Sequence, residues 1–358
     1  TNVAGYFQAD KKWNKFNLTA GMRMEYFKID SVKSRGKLFG KNLDIPFQPV
    51  FRFGGTYQPM EYTFIRASYG QGYRFPSIAE KYISTFVGGL NIFPNQNIQP
   101  EYGWSSEIGL KQGFKINSFK GYLDISGFIT QYSNMMEFMF GFYDINGNEL
   151  SENDRDNLIF QNILQGIDPQ ETFSRIIGAR STNIQNANIP GFEINLIGQG
   201  NITNNLSISV LAGYTFINPT SLNSDSNYIS TFSNPDTINF ENSILKYRNR
   251  HQAKIDLQFE YKKISFGIST RYASLMENVD NVFVSPISSG LEILPGYGIY
   301  RNARMTGDII FDARLAYKID EKSKISILVN NVLNREYTNR PGNVMPPRTL
   351  LWQYSLNF

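Results

Sequence analysis

Residues 350–358 read LLWQYSLNF, and the fold follows from how they alternate. Leu350, Trp352, Tyr354, Leu356 and Phe358 are large and apolar. Leu351, Gln353, Ser355 and Asn357 lie between them, and three of those four are polar. A period of two places the first set on one face of a β-strand and the second set on the other. A terminal strand frays unless neighbours hold it, so the reading stands or falls on whether the chain repeats it.

It does. Phe16, Leu18, Ala20, Met22, Met24 and Tyr26 alternate with Asn17, Thr19, Gly21, Arg23 and Glu25. Leu206, Ile208, Val210, Ala212, Tyr214 and Phe216 form an apolar set, as do Ala253, Ile255, Leu257, Phe259 and Tyr261. Strands are expected near 2–9, 16–30, 48–58, 62–71, 104–114, 119–132, 188–200, 205–217, 251–261, 263–276, 306–319, 323–332 and the final stretch. Short turns, including DKKWNK, PME, KINS, ITNN and DEK, alternate strictly with long loops, one of them the irregular segment 72–103. No region reads as helices.

That asymmetry, with apolar and polar faces on every strand, is the pattern of an antiparallel transmembrane β-barrel in an outer membrane. The polar faces carry charges such as Lys254, Asp256 and Glu260, which a dry core could not hold but a wet lumen can. A large soluble antiparallel protein is the competing reading, and it would need a partner layer that the pattern lacks. Tyr214, Phe216, Tyr261, Tyr272 and Tyr317 near strand ends suit interfacial girdles.

Composition agrees. The chain of 358 residues is 15% aromatic, with 21 Tyr and 28 Phe, which suits strands meeting both lipid and water. No stretch approaches the ~20 apolar residues of a membrane helix. Cysteine is absent, so neither disulfides nor thiolate metal sites can form. A net charge of +4, unclustered, does not favour nucleic acid. The opening TNVAGYFQAD carries no targeting signal.

Parity adds an expectation. The first strand precedes a short turn and the last follows a long loop, so both run the same way. About thirteen such strands cannot close alone, because single-chain bacterial barrels have even strand numbers and lipid forbids an open edge. The chain is therefore expected to be part of a larger barrel.

Four segments carry a family resemblance. FIRASYGQGYRFPSIAEKY (64–82) and NQNIQPEYGWSSEIGLKQG (95–113) resemble signatures of the TonB-dependent outer-membrane receptors. IPGFEINL (189–196) is similar to a strand entry of that family, and NNVLNREYTNRPGNVMPPRTLLWQYSLNF (330–358) resembles its terminal pattern, with Pro347 in place of a glycine before Arg348. The resemblance implies that residues 1–358 are the C-terminal portion of one barrel domain of 22 strands. An N-terminal plug, a TonB-contacting box and about nine strands then lie outside this chain. It also implies energised uptake of a scarce nutrient such as a ferric siderophore, haem, cobalamin, glycan or peptide. The implied partners are outer-membrane lipid, the TonB complex, the barrel-assembly machinery and a small nutrient ligand, with or without a surface lipoprotein. Long loops would be extracellular, and the short turns and C-terminus periplasmic. Trp352, Tyr354, Leu356 and Phe358 would form the signal read by the assembly machinery.

Chemistry is sparse. One histidine, His251, cannot build a ligand cluster or a triad. The Lys254/Asp256 and Asp308/Asp312 pairs read as lumenal charges, not acid/base dyads, and SENDRDN lacks the glycine and final glutamate of a calcium loop. No catalytic residue, metal site or cofactor is expected, and the protein is read as a non-enzyme. Ligand contacts are expected in the 72–103 loop, from Tyr73, Arg74, Phe75, Tyr82, Phe86 and Phe93. MMEFMFGFY (135–143) is either a hydrophobic lid or a strand continued above the membrane. The alternatives to transport are a surface interaction or anchor protein and a passive channel.

Overall fold

A computed structural model describes residues 2–29, 32–34, 37–39, 43–87, 90–184, 186–222, 244–286 and 292–357. Thirteen strands follow one another in a single antiparallel meander: β1 (Asn2–Trp13), β2 (Phe16–Ile29), β3 (Leu43–Met60), β4 (Thr63–Arg74), β5 (Glu101–Ile116), β6 (Phe119–Ser133), β7 (Asn186–Thr203), β8 (Leu206–Ile217), β9 (His251–Tyr261), β10 (Ile264–Ala273), β11 (Asp308–Lys318), β12 (Ser323–Asn330) and β13 (Thr349–Leu356). Each pairs only with its neighbours in sequence, apart from the short strand Thr220–Ser221 added beside β7. Among the described residues, β1 pairs only with β2 and β13 only with β12, so the sheet is open between them.

Register carries the alternation across strands. Trp352 faces Ile327, Ile327 faces Leu315, Leu315 faces Phe266, and Phe266 faces Phe259. One residue along, Gln353 faces Ser326, Ser326 faces Ala316, Ala316 faces Ser265, and Ser265 faces Glu260. The apolar rows lie bare: Trp352 is 69% exposed, Phe7 67% and Ile108 64%. Water would penalise a face of that extent, whereas lipid covers it.

Turns explain the trimmed end of the sheet. β1–β2, β5–β6 and β9–β10 are joined by two residues, with Asn14 (φ 39), Asn117 (φ 53) and Lys262 (φ 53) leading in the left-handed region. Such mirror-image turns match strand twist, and asparagine tolerates that conformation best. β1 therefore runs on to Trp13, and the turn expected across DKKWNK shortens to Asn14 and Lys15. Between β11 and β12, Asp320 accepts the amides of Lys322 and Ser323 (2.8 and 2.7 Å), which holds its carboxyl below the usual range.

The packed core lies outside the wall. In the long connections, Met136–Phe142 pairs antiparallel with Ile177–Asn183, which pairs parallel with Leu90–Phe93, which in turn pairs with Thr85–Val87. Helices α1 (Ile78–Tyr82), α2 (Glu152–Leu164), α3 (Pro169–Ile176) and α4 (Tyr297–Ala303) complete this loop layer. No described helix is long and apolar enough to cross a membrane. Phe142, Phe173, Ile176, Ile177, Val282 and Phe283 form one buried cluster; Met135, Met139, Ile184, Ala187 and Leu245 form another.

Three expectations change. The helix-free reading fails in the loops. SENDRDN opens α2 through a capping box in which Ser151 accepts the Asp154 amide and Asp154 accepts the Ser151 amide. The irregular segment 72–103 shrinks, because β4 reaches Arg74 and β5 starts at Glu101. MMEFMFGFY forms a strand of the separate loop sheet, with Met139 and Phe142 buried, so it is neither an extension of the wall nor an exposed lid.

Candidate functional site

Two charge devices on the polar face of the wall share one geometry. Arg66 on β4 faces Gly109 on β5 and reaches across it to Asp124 on β6, with Nη1 2.9 Å from both carboxylate oxygens; its Nε donates to Glu107 at 2.8 Å. Arg314 on β11 faces Gly267 on β10 and reaches across it to Asp256 on β9 (2.6 and 2.8 Å), while its Nε donates to Gln258 at 2.8 Å. Glycine is required at both crossings. A Cβ on Gly109 would sit 2.6 Å from Arg66 Cζ, and one on Gly267 would sit 2.3 Å from Arg314 Nε. Asp256 is thus tied to Arg314 rather than to Lys254, and Asp312 accepts Arg271 at 3.0 Å.

Above these staples, the polar face of β8–β11 and helix α4 enclose a cavity of about 550 Å³. Tyr297, Tyr300, Arg301 and Arg304 line it at positions one, four, five and eight of YGIYRNAR, a spacing that puts all four on one helical face. Arg301 is buried and donates to the carbonyls of Met276 (2.5 Å) and Glu277 (2.9 Å); burial pushes its guanidinium down from its ordinary value. Burial also raises the Tyr297 phenol. It raises Tyr300 as well, with help from the 2.7 Å bond that Tyr300 donates to Asp308. Asp308 accepts Arg335 too, at 2.8 Å.

The loop layer is pinned to the wall by the KYRNR run at 246–250. Lys246 and Asp280 form an ion pair of 2.5 Å with side chains 3% and 2% exposed, and the Tyr247 hydroxyl donates to the same carboxylate. Burial, then the charge of Asp280, holds Tyr247 far above the ordinary phenol range. Arg248 reaches Glu137 in the loop sheet at 2.7 Å, and burial pushes the Glu137 carboxyl upward against the pull of Arg248. Arg250 contacts Glu277 (3.4 Å) and Asn218 (2.8 Å), and His251 Nδ1 lies 2.8 Å from the Tyr214 hydroxyl.

The six loop residues singled out in the sequence do not converge on one pocket. Tyr73 donates to Glu25 at 3.0 Å and packs on Phe75, their ring centres 4.8 Å apart. Arg74 pairs with Glu80 at 3.0 Å. Tyr82 and Phe93 are buried, Phe93 against Tyr143 at 5.3 Å. Phe86, 65% exposed, and Arg74 are the ones presented outward. Trp352, Tyr354 and Leu356 lie on the bare apolar face of β13, and Phe358 lies outside the described residues. Sequence reading missed the α4 cluster and the two glycine crossings. The i, i+3, i+4, i+7 spacing of Tyr297, Tyr300, Arg301 and Arg304 was the available signal for the first. Among the described residues no three His, Cys, Asp or Glu side chains group as metal ligands.

Comparison with known proteins bears on this site. The family described as "TonB dependent receptor-like, beta-barrel" matches residues 1–332. Hemoglobin and hemoglobin-haptoglobin-binding protein A of Haemophilus influenzae is 29% identical over 155 residues, 43% of this chain and 12% of that protein. Among solved structures, the copper transporter OprC superposes on all of this chain with a TM-score of 0.62 at 15% identity. The Serratia marcescens hemophore receptor HasR, in complex with its hemophore HasA and heme, does so at 0.60 and 14%. This chain covers 48% and 51% of those two, about half the length of the solved relatives it matches.

Proposed function

The chain belongs to the TonB-dependent receptor β-barrel family, and on that premise we propose that it forms the C-terminal wall and outer loops of an energised nutrient importer in the bacterial outer membrane. The observation that carries the reading is the thirteen-strand meander with its bare apolar face, trimmed turns and elaborated loops, of which β1 to β12 fall within the family match over residues 1–332.

The rest of the whole protein is read from the open edges. Among the described residues, β1 and β13 each offer an unpaired row of backbone groups, which lipid does not tolerate. Further strands of a 22-stranded barrel, about nine, would pair with them. A plug in the lumen would cover the row Tyr122, Ile197 and Leu211, apolar residues on the mostly polar face, beside a cavity of about 730 Å³. The long loops and loop layer face outward, and the short turns face the periplasm. A nutrient binds beneath the loops, and the motor acts through the plug.

The substrate is a scarce nutrient, with haem or another metal complex as first choice because the Haemophilus relative binds haemoglobin. A strain lacking the full-length gene should lose growth on one defined iron, haem, cobalamin or glycan source. The gene should restore growth only where TonB is intact. Growth restored equally without TonB contradicts energised uptake and favours a passive channel. No growth phenotype on any source favours a surface interaction protein.

A further inference from the structure

The cavity under α4 holds a charge imbalance that the wall does not resolve. Four cationic side chains line it, Lys254, Arg271, Arg301 and Arg304, against one carboxylate, Asp308. Lys254 and Arg271 face each other directly across β9 and β10 on the polar face. Like charges in that position repel, and sheets normally avoid the arrangement. Arg271 is relieved by Asp312 at 3.0 Å, whereas Lys254 makes no hydrogen bond or ion pair among the described residues, and Asp256, whose charge it feels, is already bonded to Arg314. Gly213 faces Lys254 from β8, so no side chain from that strand screens it.

The other two cations are no better balanced. Arg301 is buried with main-chain carbonyls as acceptors and has no carboxylate partner among the described residues. Carbonyls satisfy its hydrogens but leave its charge, whose field in a poorly solvated pocket extends to the cavity. Arg304 comes no closer than 3.8 Å to Asp308, and its buried Nε has no hydrogen-bond partner. Asp308 is already committed to Arg335 and Tyr300. Buried donors without acceptors and opposed cations both cost stability, and one anion relieves both. The Tyr297 and Tyr300 rings, centres 5.9 Å apart, supply an apolar side to the same space.

We infer that Lys254, Arg271 and Arg304 form an anion-binding subsite, with Arg301 behind them, which takes a small molecule bearing several carboxylates. The subsite rests on the reading of the lumen as the ligand path, and it fixes the charge the cargo must carry.

The test is calorimetric titration of the full-length protein in detergent with citrate as probe and tetramethylammonium as the cationic control. Citrate should bind and tetramethylammonium should not. Lys254→Gln with Arg271→Gln should weaken citrate binding by about tenfold or more. Lys254→Arg with Arg271→Lys should hold it within about threefold, and Lys115→Gln with Lys120→Gln, at the short-turn end, should leave it unchanged. Unchanged heat-modifiable migration on gels shows that each variant is folded. Citrate binding untouched by the double glutamine variant overturns the subsite, as does equal loss at Lys115 and Lys120. Absence of binding by the parent protein also overturns it, the outcome expected if an acidic segment of the whole protein fills the cavity. The motor takes no part in this titration, so failure of energised uptake and failure of the subsite are separate results.

Discussion

Arg314 on β11 and Asp256 on β9 are bonded across a strand that lies between them, and they meet because Gly267 on that strand has no side chain. Arg66, Gly109 and Asp124 repeat the arrangement five strands earlier in the chain, on β4, β5 and β6. Each device ties three strands together on the wet side, where the wall has no packed core of its own.

Gly267→Val should therefore break its staple without touching either charged residue. A Cβ there displaces Arg314 from Asp256 and Gln258. The pair is about a third exposed, so the loss is about 1 kcal/mol, less than a buried charged hydrogen bond would give. Heat-modified migration of the folded barrel should shift to lower temperature, and Gly109→Val should act alike. Gly54→Val is the control, since nothing lies within 4 Å of a Cβ placed there.

Asp280→Ala takes the ion-pair partner at 2.5 Å from the buried Lys246 and removes the acceptor of the Tyr247 hydroxyl. Breaking one side of such a pair costs about 3–5 kcal/mol. The cost falls on the loop layer, so limited proteolysis of intact cells should cut the long loops faster while the barrel still migrates as folded. Equal protease resistance would mean the pair does not hold the layer.

The loop layer should also loosen as pH rises. Burial raises the Glu137 carboxyl above its ordinary 4.5, so the folded layer holds that proton more tightly than the unfolded chain. The contribution is fully present below the unfolded value and is lost as pH climbs from there through the raised one. Glu137→Gln should flatten this part of the dependence, read as loop protease resistance against pH relative to the parent. A parent and variant with parallel profiles would contradict it.

Phe358 was assigned to the assembly signal on resemblance, and it lies outside the described residues. Its deletion from the full-length protein should lower the outer-membrane level several-fold in a membrane immunoblot. Normal assembly would make the last strand an ordinary one.

The wall was legible because each strand writes its register locally: Trp352 and Gln353 cannot exchange faces without inverting the whole strand. The loop layer was not. Met136–Phe142 finds its partner Ile177–Asn183 about forty residues on, and no local period announces a pairing at that distance. Helix α2 hid inside SENDRDN because its inward side chains are few, Leu158 and Ile159 packing on the buried cluster while Phe160, Ile163 and Leu164 stay exposed. The staples needed knowledge of which glycine faces which arginine, a fact of register rather than composition. Among the candidate residues, Tyr82 and Phe93 looked like ligand contacts because aromatic loops have two uses, and burial shows them packing the loops.

The claim on which the rest depends is that one face of the sheet meets lipid and the other meets water. Nitroxide labels carried singly at positions 350–357 of the full-length protein, reconstituted in bilayers, test it directly. Collisions with oxygen should peak at 350, 352, 354 and 356, and collisions with a water-soluble nickel chelate at 351, 353, 355 and 357. An apolar face closed to both reagents, as in the packed interior of a soluble sandwich, would contradict the membrane wall.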